Sequence, residues 1–155
     1  MRRNYPEKPD KVYFMGTCLA DMLYAEAGLA GIRLLEREGV KVIYPREQTC
    51  CGQPAFNSGF QEEALEVALH QINCFPKAYP IVVPSGSCGA MMVRHYPELF
   101  EGHPLEQKAI EFSSRIFELS EFLHHVLKIR LKDQEVPVKV TLHTSCHAKR
   151  ELGLG

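Results

Sequence analysis

Hydrophobic positions along the chain come in short β-prone runs separated by longer amphipathic stretches. "KVYFMGT" (11–17) opens after a charged, Pro-containing start and reads as a buried strand. Met22, Leu29, Ile32 and Leu35 then recur at helical spacings, which predicts a helix over 19–38 capped by Gly39. "VKVIYP" (40–45) is a second strand, stopped by Pro45. Ser58 and Gln61 fit a capping box for a helix whose apolar face is Ala64, Leu65, Ala68, Leu69 and Ile72. "PIVVP" (80–84) is a third strand and turns at once into a helix at "SGSCGAMMVRHY". Ile116, Leu119, Leu123, Val126 and Leu127 predict a helix over about 113–130, and "VPVKVTLHT" (136–144) a fourth strand.

This alternation predicts an α/β fold, with a mostly parallel sheet and helices on both faces. Short apolar strands without clean polar alternation suit a sheet covered on both sides. One internal repeat changes the organisation. "KVYFMGTCLA" (11–20) aligns without gaps to "KVTLHTSCHA" (139–148), with Cys18 and Cys146 in register. Such self-similarity marks a duplicated supersecondary unit. Residues 1–135 then read as one unit, and 136–155 as the first strand and start of a second, incomplete one.

At 155 residues, 45% hydrophobic and 24% charged, the chain can bury a core without disulfide staples. A net charge of -1 with scattered Lys and Arg argues against a nucleic-acid or membrane surface. No apolar run approaches the roughly 20 residues of a membrane helix, and no apolar segment follows the basic start as in a secretory signal. A reducing cytoplasm is the expected compartment, so the six cysteines mean metal, redox chemistry or burial.

Five of these cysteines fall just beyond predicted strands: Cys18, the adjacent Cys50 and Cys51, Cys88, and Cys146. Carboxyl ends of parallel strands share one edge, where open α/β sheets place ligands. Cys18, Cys50, Cys51 and Cys88 can converge there although they are distant in sequence. Side chains of neighbouring residues on an extended backbone point apart, so one core pocket absorbs Cys50 and Cys51 badly. A bend at Gly52 lets one metal reach both. Four thiolates suit an iron–sulfur cluster or zinc. A thiol-redox pair lacks the usual Cys-x-x-Cys separation. Cys74 reads as packing, and Ser85 and Ser87 as donors to sulfur or as a helix cap. Cys146, between His143 and His147, is a further candidate ligand. No Ser/His/Asp arrangement, phosphate loop or dinucleotide fingerprint is present.

"GTCLADM", "CCGQPAFNSG" and "VPSGSCGAMM", in this order, resemble the CCG-type cysteine-rich domain family. That family includes the cysteine-rich component of heterodisulfide reductase, glycolate oxidase iron–sulfur subunits and the lactate utilisation protein A branch, which the motifs match best. "HTSCHAKRELG" is similar to the opening of the family's second motif. Ser85 stands where members often carry the first cysteine of a Cys-x-x-Cys, so four cysteines remain rather than five. The resemblance implies an iron–sulfur electron-transfer component, of 4Fe–4S type, in a cytoplasmic complex oxidising L-lactate or a related 2-hydroxy acid. Its implied partners are flavin and other iron–sulfur subunits. A zinc-stabilised α/β module with a structural four-cysteine site is the alternative. If the second unit is incomplete, an uncovered strand edge near 136–146 is expected to promote self-association.

Overall fold

Val12 and Phe14 in β1 (Lys11–Phe14) enter one hydrophobic core and Tyr13 the other, so the strand is covered on both faces. A computed structural model describes residues 3–130, 138–139, 141 and 145–154. After β1 come α1 (Cys18–Leu23), α2 (Ala25–Arg37), β2 (Lys41–Ile43), α3 (Gln53–Asn57), α4 (Gln61–Cys74) and β3 (Ile81–Val83). α5 (Gly86–Ala90) runs through a π-helical turn (Met91–His95) into α6 (Tyr96–Leu99). α7 (Glu106–Ser114), β4 (Ile116–Glu118), α8 (Leu119–Glu121), a second π-helical turn (Phe122–Val126) and α9 (Cys146–Arg150) follow.

The expected α/β architecture is present: one parallel four-stranded sheet in the order β2-β1-β3-β4, flanked by helices. Tyr13 pairs with Ile43 on one side and Ile81 on the other, and Val82 pairs with Phe117. On one face Tyr13, Met15, Ile81, Val83 and Ile116 pack with Ala68, Ile72, Phe75, Met91, Tyr96 and Phe112. On the other, Val12, Phe14, Val82 and Phe117 meet Leu35, Val40, Phe122 and Val126. α2 comes close at Gly31, where a Cβ would stand 3.3 Å from the Phe14 ring and 3.1 Å from Leu119.

Several local expectations are corrected. The helix expected over 113–130 is instead the end of α7, then β4, α8 and a π-helical turn. Ile116 and Phe117 enter opposite cores, so their apolar character serves a covered strand as well as a helix. Glu118 then restarts the helix through a capping box. Its carboxylate accepts the Ser120 and Glu121 N–H groups at 2.8 and 3.2 Å, and Glu121 accepts the Glu118 N–H at 3.2 Å. The helix expected over 19–38 is broken at Tyr24, whose φ of -133° separates α1 from α2. The Ser58–Gln61 capping box does not form: Ser58 closes α3, Gly59 turns at φ 85°, and Phe60 opens α4 without a side-chain cap. Gly39 does end α2 in the left-handed region, at φ 78°. The strand expected over 136–144, with its edge, lies mostly outside the described residues. Among the described residues no helix is long and apolar enough to cross a membrane.

Arg3 ties the N-terminal segment to α8, just past β4. Its guanidinium donates to both Glu121 carboxylate oxygens at 3.0 and 2.8 Å, and Tyr5 adds a third donor at 3.1 Å. Glu121 is only 2% exposed, so losing one partner strands the other in a dry site. Arg3→Ala should therefore lower stability by about 3–5 kcal/mol. Urea unfolding of the two proteins measures the difference; a change within a few tenths of a kcal/mol would show the pair to be solvated.

Candidate metal centre

The strand order reverses between β1 and β3, since β2 lies on one side of β1 and β3 on the other. Open parallel sheets form a crevice at such a switch, beyond the strand carboxyl ends. Cys18 leaves β1, Cys50 and Cys51 follow β2, and Cys88 follows β3 on α5. The three neighbouring strands thus deliver the four sequence-predicted thiols to one crevice. Cys18 Sγ lies 3.8 Å from Cys50 Sγ, and Cys50, Cys51 and Cys88 each act on the others' hold on a proton. Cys51 and Cys88 are buried, Cys50 is half-buried, and Cys18 is exposed. Among the described residues, no three His, Cys, Asp or Glu side chains stand arranged as they are to hold a single metal ion. The thiols form a connected row rather than a closed cage.

The loop that bears the adjacent pair is held by side-chain amides. Gln48 accepts the Gly16 N–H at 2.9 Å and donates to the Phe14 carbonyl at 3.2 Å, fastening the loop to the end of β1. Fully buried Gln71 accepts from the Thr49 N–H at 3.0 Å and donates to the Thr49 carbonyl at 3.3 Å. Gln53 donates to the Ser87 carbonyl at 3.2 Å, joining this loop to the third motif. Tyr96, entirely buried, donates its hydroxyl to the Cys51 carbonyl at 3.0 Å. Gly52 makes the bend at φ 82°, with Ala64 and Val67 3.4–3.5 Å from where a Cβ would lie. The backbone angle selects glycine there, since a Cβ would meet these neighbours only at ordinary contact distance. None of the four polar clamps was singled out from the sequence. A signal existed for Gln71, a polar residue at core spacing between Ala68 and Ile72, while Gln48 and Gln53 simply flank the pair.

These thiols differ in their hold on a proton. Cys50 is drawn down to about 5, chiefly by the hydrogen bond from Cys51, with further help from the Gly52 N–H. Cys51 is pushed far up, because it keeps the proton it shares with Cys50 and Cys88 and is buried. Cys88 falls to about 7, first through Cys51 and then through the Ser85 and Ser87 hydroxyls, against the effect of burial. Burial and the neighbouring Cys50 raise Cys18. The metal-free crevice therefore stores negative charge on Cys50, while Cys51 keeps its proton. Ser85 and Ser87 fill both expected roles in part. Ser85 is the N-cap residue of α5 without a capping side-chain bond, and both hydroxyls reach Cys88.

Two cysteines lie outside this row. Cys74 packs, as expected, against the edge of one core: it sits half-buried at the end of α4, with its Sγ 3.5 Å from His70 Nε2. Cys146 is exposed at the start of α9 and makes no hydrogen bond to the other thiols among the described residues.

With a parallel sheet, a switch-point crevice and a row of four thiols in place, the class is defined. The chain belongs to the cysteine-rich domain family called CCG, whose family model matches residues 12–93. Relatives carry more specific names. The chain is 44% identical over 144 residues to "Lactate utilization protein A" of Halalkalibacterium halodurans, covering 92% of this chain and 59% of that protein. It is 45% identical over 145 residues to the protein of that name from Geobacillus kaustophilus, covering 93% and 60%. The Exiguobacterium protein of the same name is 45% identical over 141 residues, covering 89% and 57%. The chain thus spans about 60% of the length of these relatives. No solved structure matches it.

In metal-free protein, alkylation of Cys50 by iodoacetamide should rise through about pH 5 and be flat at neutral pH, since protonation below that midpoint removes the nucleophile. Cys51→Ala deletes the donated hydrogen bond, so the midpoint should move up by a unit or more (about tenfold in acidity). Peptide mass spectrometry separates Cys50 from the other cysteines. An unchanged midpoint in the variant would show that Cys51 does not set this acidity.

Gln71→Leu should remove both hydrogen bonds to the Thr49 main chain and cost about 1–3 kcal/mol in urea unfolding. Alkylation of buried Cys51 should become faster in the same variant, as its loop loosens.

Proposed function

We propose that Cys18, Cys50, Cys51 and Cys88 hold an iron–sulfur cluster of the 4Fe–4S type, and that the chain passes electrons within a cytoplasmic oxidoreductase complex. The supporting observation is the convergence of four thiols at the β1/β3 switch point, surrounded by donors suited to negative charge. Soft sulfur ligands fit iron–sulfur chemistry. Next to Cys18 and Cys50, a cleft of about 240 Å³ lies between α1 and the β2 loop. That is several times the roughly 30 Å³ of one water, room for more than a single ion.

A bound cluster supplies reversible one-electron transfer. The chain's own residues prepare for it. The Leu19, Gly52 and Gln53 N–H groups favour the anions of Cys18, Cys50 and Cys51 respectively, and the Ser85 and Ser87 hydroxyls that of Cys88. Such donors stabilise the more negative state and so tune a reduction potential. Gln48, Gln71 and Tyr96 keep the ligand loop from moving, which limits reorganisation when charge arrives. L-lactate or a related 2-hydroxy acid is the proposed ultimate electron source, on the strength of the relatives' printed name. The carbon chemistry falls to partners, proposed to be flavin and other iron–sulfur subunits.

One observation favours a zinc reading. With Zn–S bonds of about 2.3 Å, sulfurs of a tetrahedral site stand about 3.8 Å apart, and Cys18 and Cys50 have that 3.8 Å separation. Iron, acid-labile sulfide and zinc analysis of anaerobically purified protein decides between the two. Iron with sulfide is expected; zinc without sulfide would overturn the cluster. Cys51→Ser should reduce bound metal to background while circular dichroism stays unchanged, because the two cores persist without the site. Unfolding on metal loss would make the metal structural instead.

A further inference from the structure

The first helices of the two repeats are built alike. Thr17 caps α1 by accepting the Ala20 N–H at 3.3 Å, and Ser145 caps α9 by accepting the Ala148 N–H at 3.2 Å. The first main-chain bonds also match: Asp21 N–H to the Thr17 carbonyl at 2.9 Å, and Lys149 N–H to the Ser145 carbonyl at 3.0 Å. The caps differ in φ, 58° at Thr17 against -62° at Ser145, while ψ is 145° and 149°. In the gapless alignment Ala20 corresponds to Ala148, and the same offset carried past it sets Leu23 beside Glu151 and Tyr24 beside Leu152.

The surroundings of the two helices differ. α9 is seated on α5. Ala148 is buried against Gly86, where an added Cβ would come within 2.6 Å of the Ala148 Cβ. Leu152 covers Gly89, Arg94 donates to the Glu151 carbonyl at 2.8 Å, and His95 Nε2 lies 3.2 Å from the Glu151 carboxylate. α1 buries none of its own residues. Leu19, Met22, Leu23 and Tyr24 are 59%, 78%, 68% and 63% exposed, beside an apolar cleft of about 370 Å³ floored by Phe14 and Ile32. Exposed apolar clustering of this kind marks an interaction surface.

We propose that α1 is the docking surface for the α5 face of a second cysteine-rich unit. The contact of α9 on α5 is one half of a two-fold arrangement, and α1 on the second unit's α5 is the other. In an isologous pair each contact occurs twice, so if a unit's first helix sits on its neighbour's α5, the reverse contact must exist as well. α9 is the first helix of the unit that opens at Lys139, and it already makes its half. Ala20 would take the place at the second Gly86 that Ala148 takes here. The occupant does not depend on which metal the thiols hold. In a solution of this chain alone, the second unit is a second copy, and its α5 is reachable once α9 is lifted.

The test opens α5 in the full 155-residue chain and asks what docks. Ala148→Arg lifts α9 but leaves Gly86 intact, and should tighten the dimer at least tenfold in analytical ultracentrifugation. Adding Ala20→Arg should reverse the gain. Gly86→Val also releases α9, yet spoils the seat for either helix, and should give no gain. Glu151→Arg, facing Arg94 and His95, opens α5 without altering Ala148 and serves if Ala148→Arg does not fold by circular dichroism. No gain in either opened variant overturns the proposal. So does equal gain in Gly86→Val, or a dimer indifferent to Ala20→Arg.

Discussion

Hydrogen bonding of β1 to both β2 and β3 is the constraint from which the site follows. Because Tyr13 pairs with Ile43 and Ile81 together, the chain must leave β1 between two neighbours that diverge beyond it. Parallel strands put all three carboxyl ends at one edge, and the reversal of order opens the crevice there. Residues 32 and 37 positions apart in sequence, Cys18 to Cys50 and Cys51 to Cys88, become neighbours for this reason alone. The cores on the two faces hold the sheet in place, which leaves the loops free to carry ligands.

Gathering thiols in a partly dry crevice is opposed by desolvation and by mutual repulsion once they ionise. Two devices offset that. One is the shared proton of Cys51, which lets Cys50 be an anion while its neighbours do not all charge at once. The other is a frame of polar groups whose own hydrogen bonds are satisfied within the loop, above all Gln71 and Tyr96. A buried amide or phenol without a partner would weaken the fold; here each is paired, and the same bonds locate the sulfurs. The π-helical turn of Met91–His95 leads directly into Tyr96, so the irregular turn lies between the helix that carries Cys88 and the residue that clamps its neighbouring loop.

The likeness of 11–20 to 139–148 adds a second layer of order. α1 and α9 share a cap, a first turn and a cysteine at the helix start, yet one is bare and the other seated. A shared cap pattern with unequal burial means that packing context, not the cap, separates them.

The sequence by itself determined the α/β class, three of the four strands, the cap at Gly39 and the positions from which Cys18, Cys50, Cys51 and Cys88 could meet. These are consequences of local pattern: apolar runs, glycine and proline punctuation, and cysteines placed after strands. It did not reveal that 116–118 is a strand, because Ile116 and Phe117 satisfy helical spacing and a doubly covered strand equally, and only pairing with β3 decides. Nor did it show the break at Tyr24 or the amide clamps. Gln71 acts on Thr49 from a different element, and Tyr96 reaches Cys51 across 45 positions. Such bonds depend on how elements are stacked, so tertiary structure alone settles which polar residues hold the loop and which of two similar helices is left exposed.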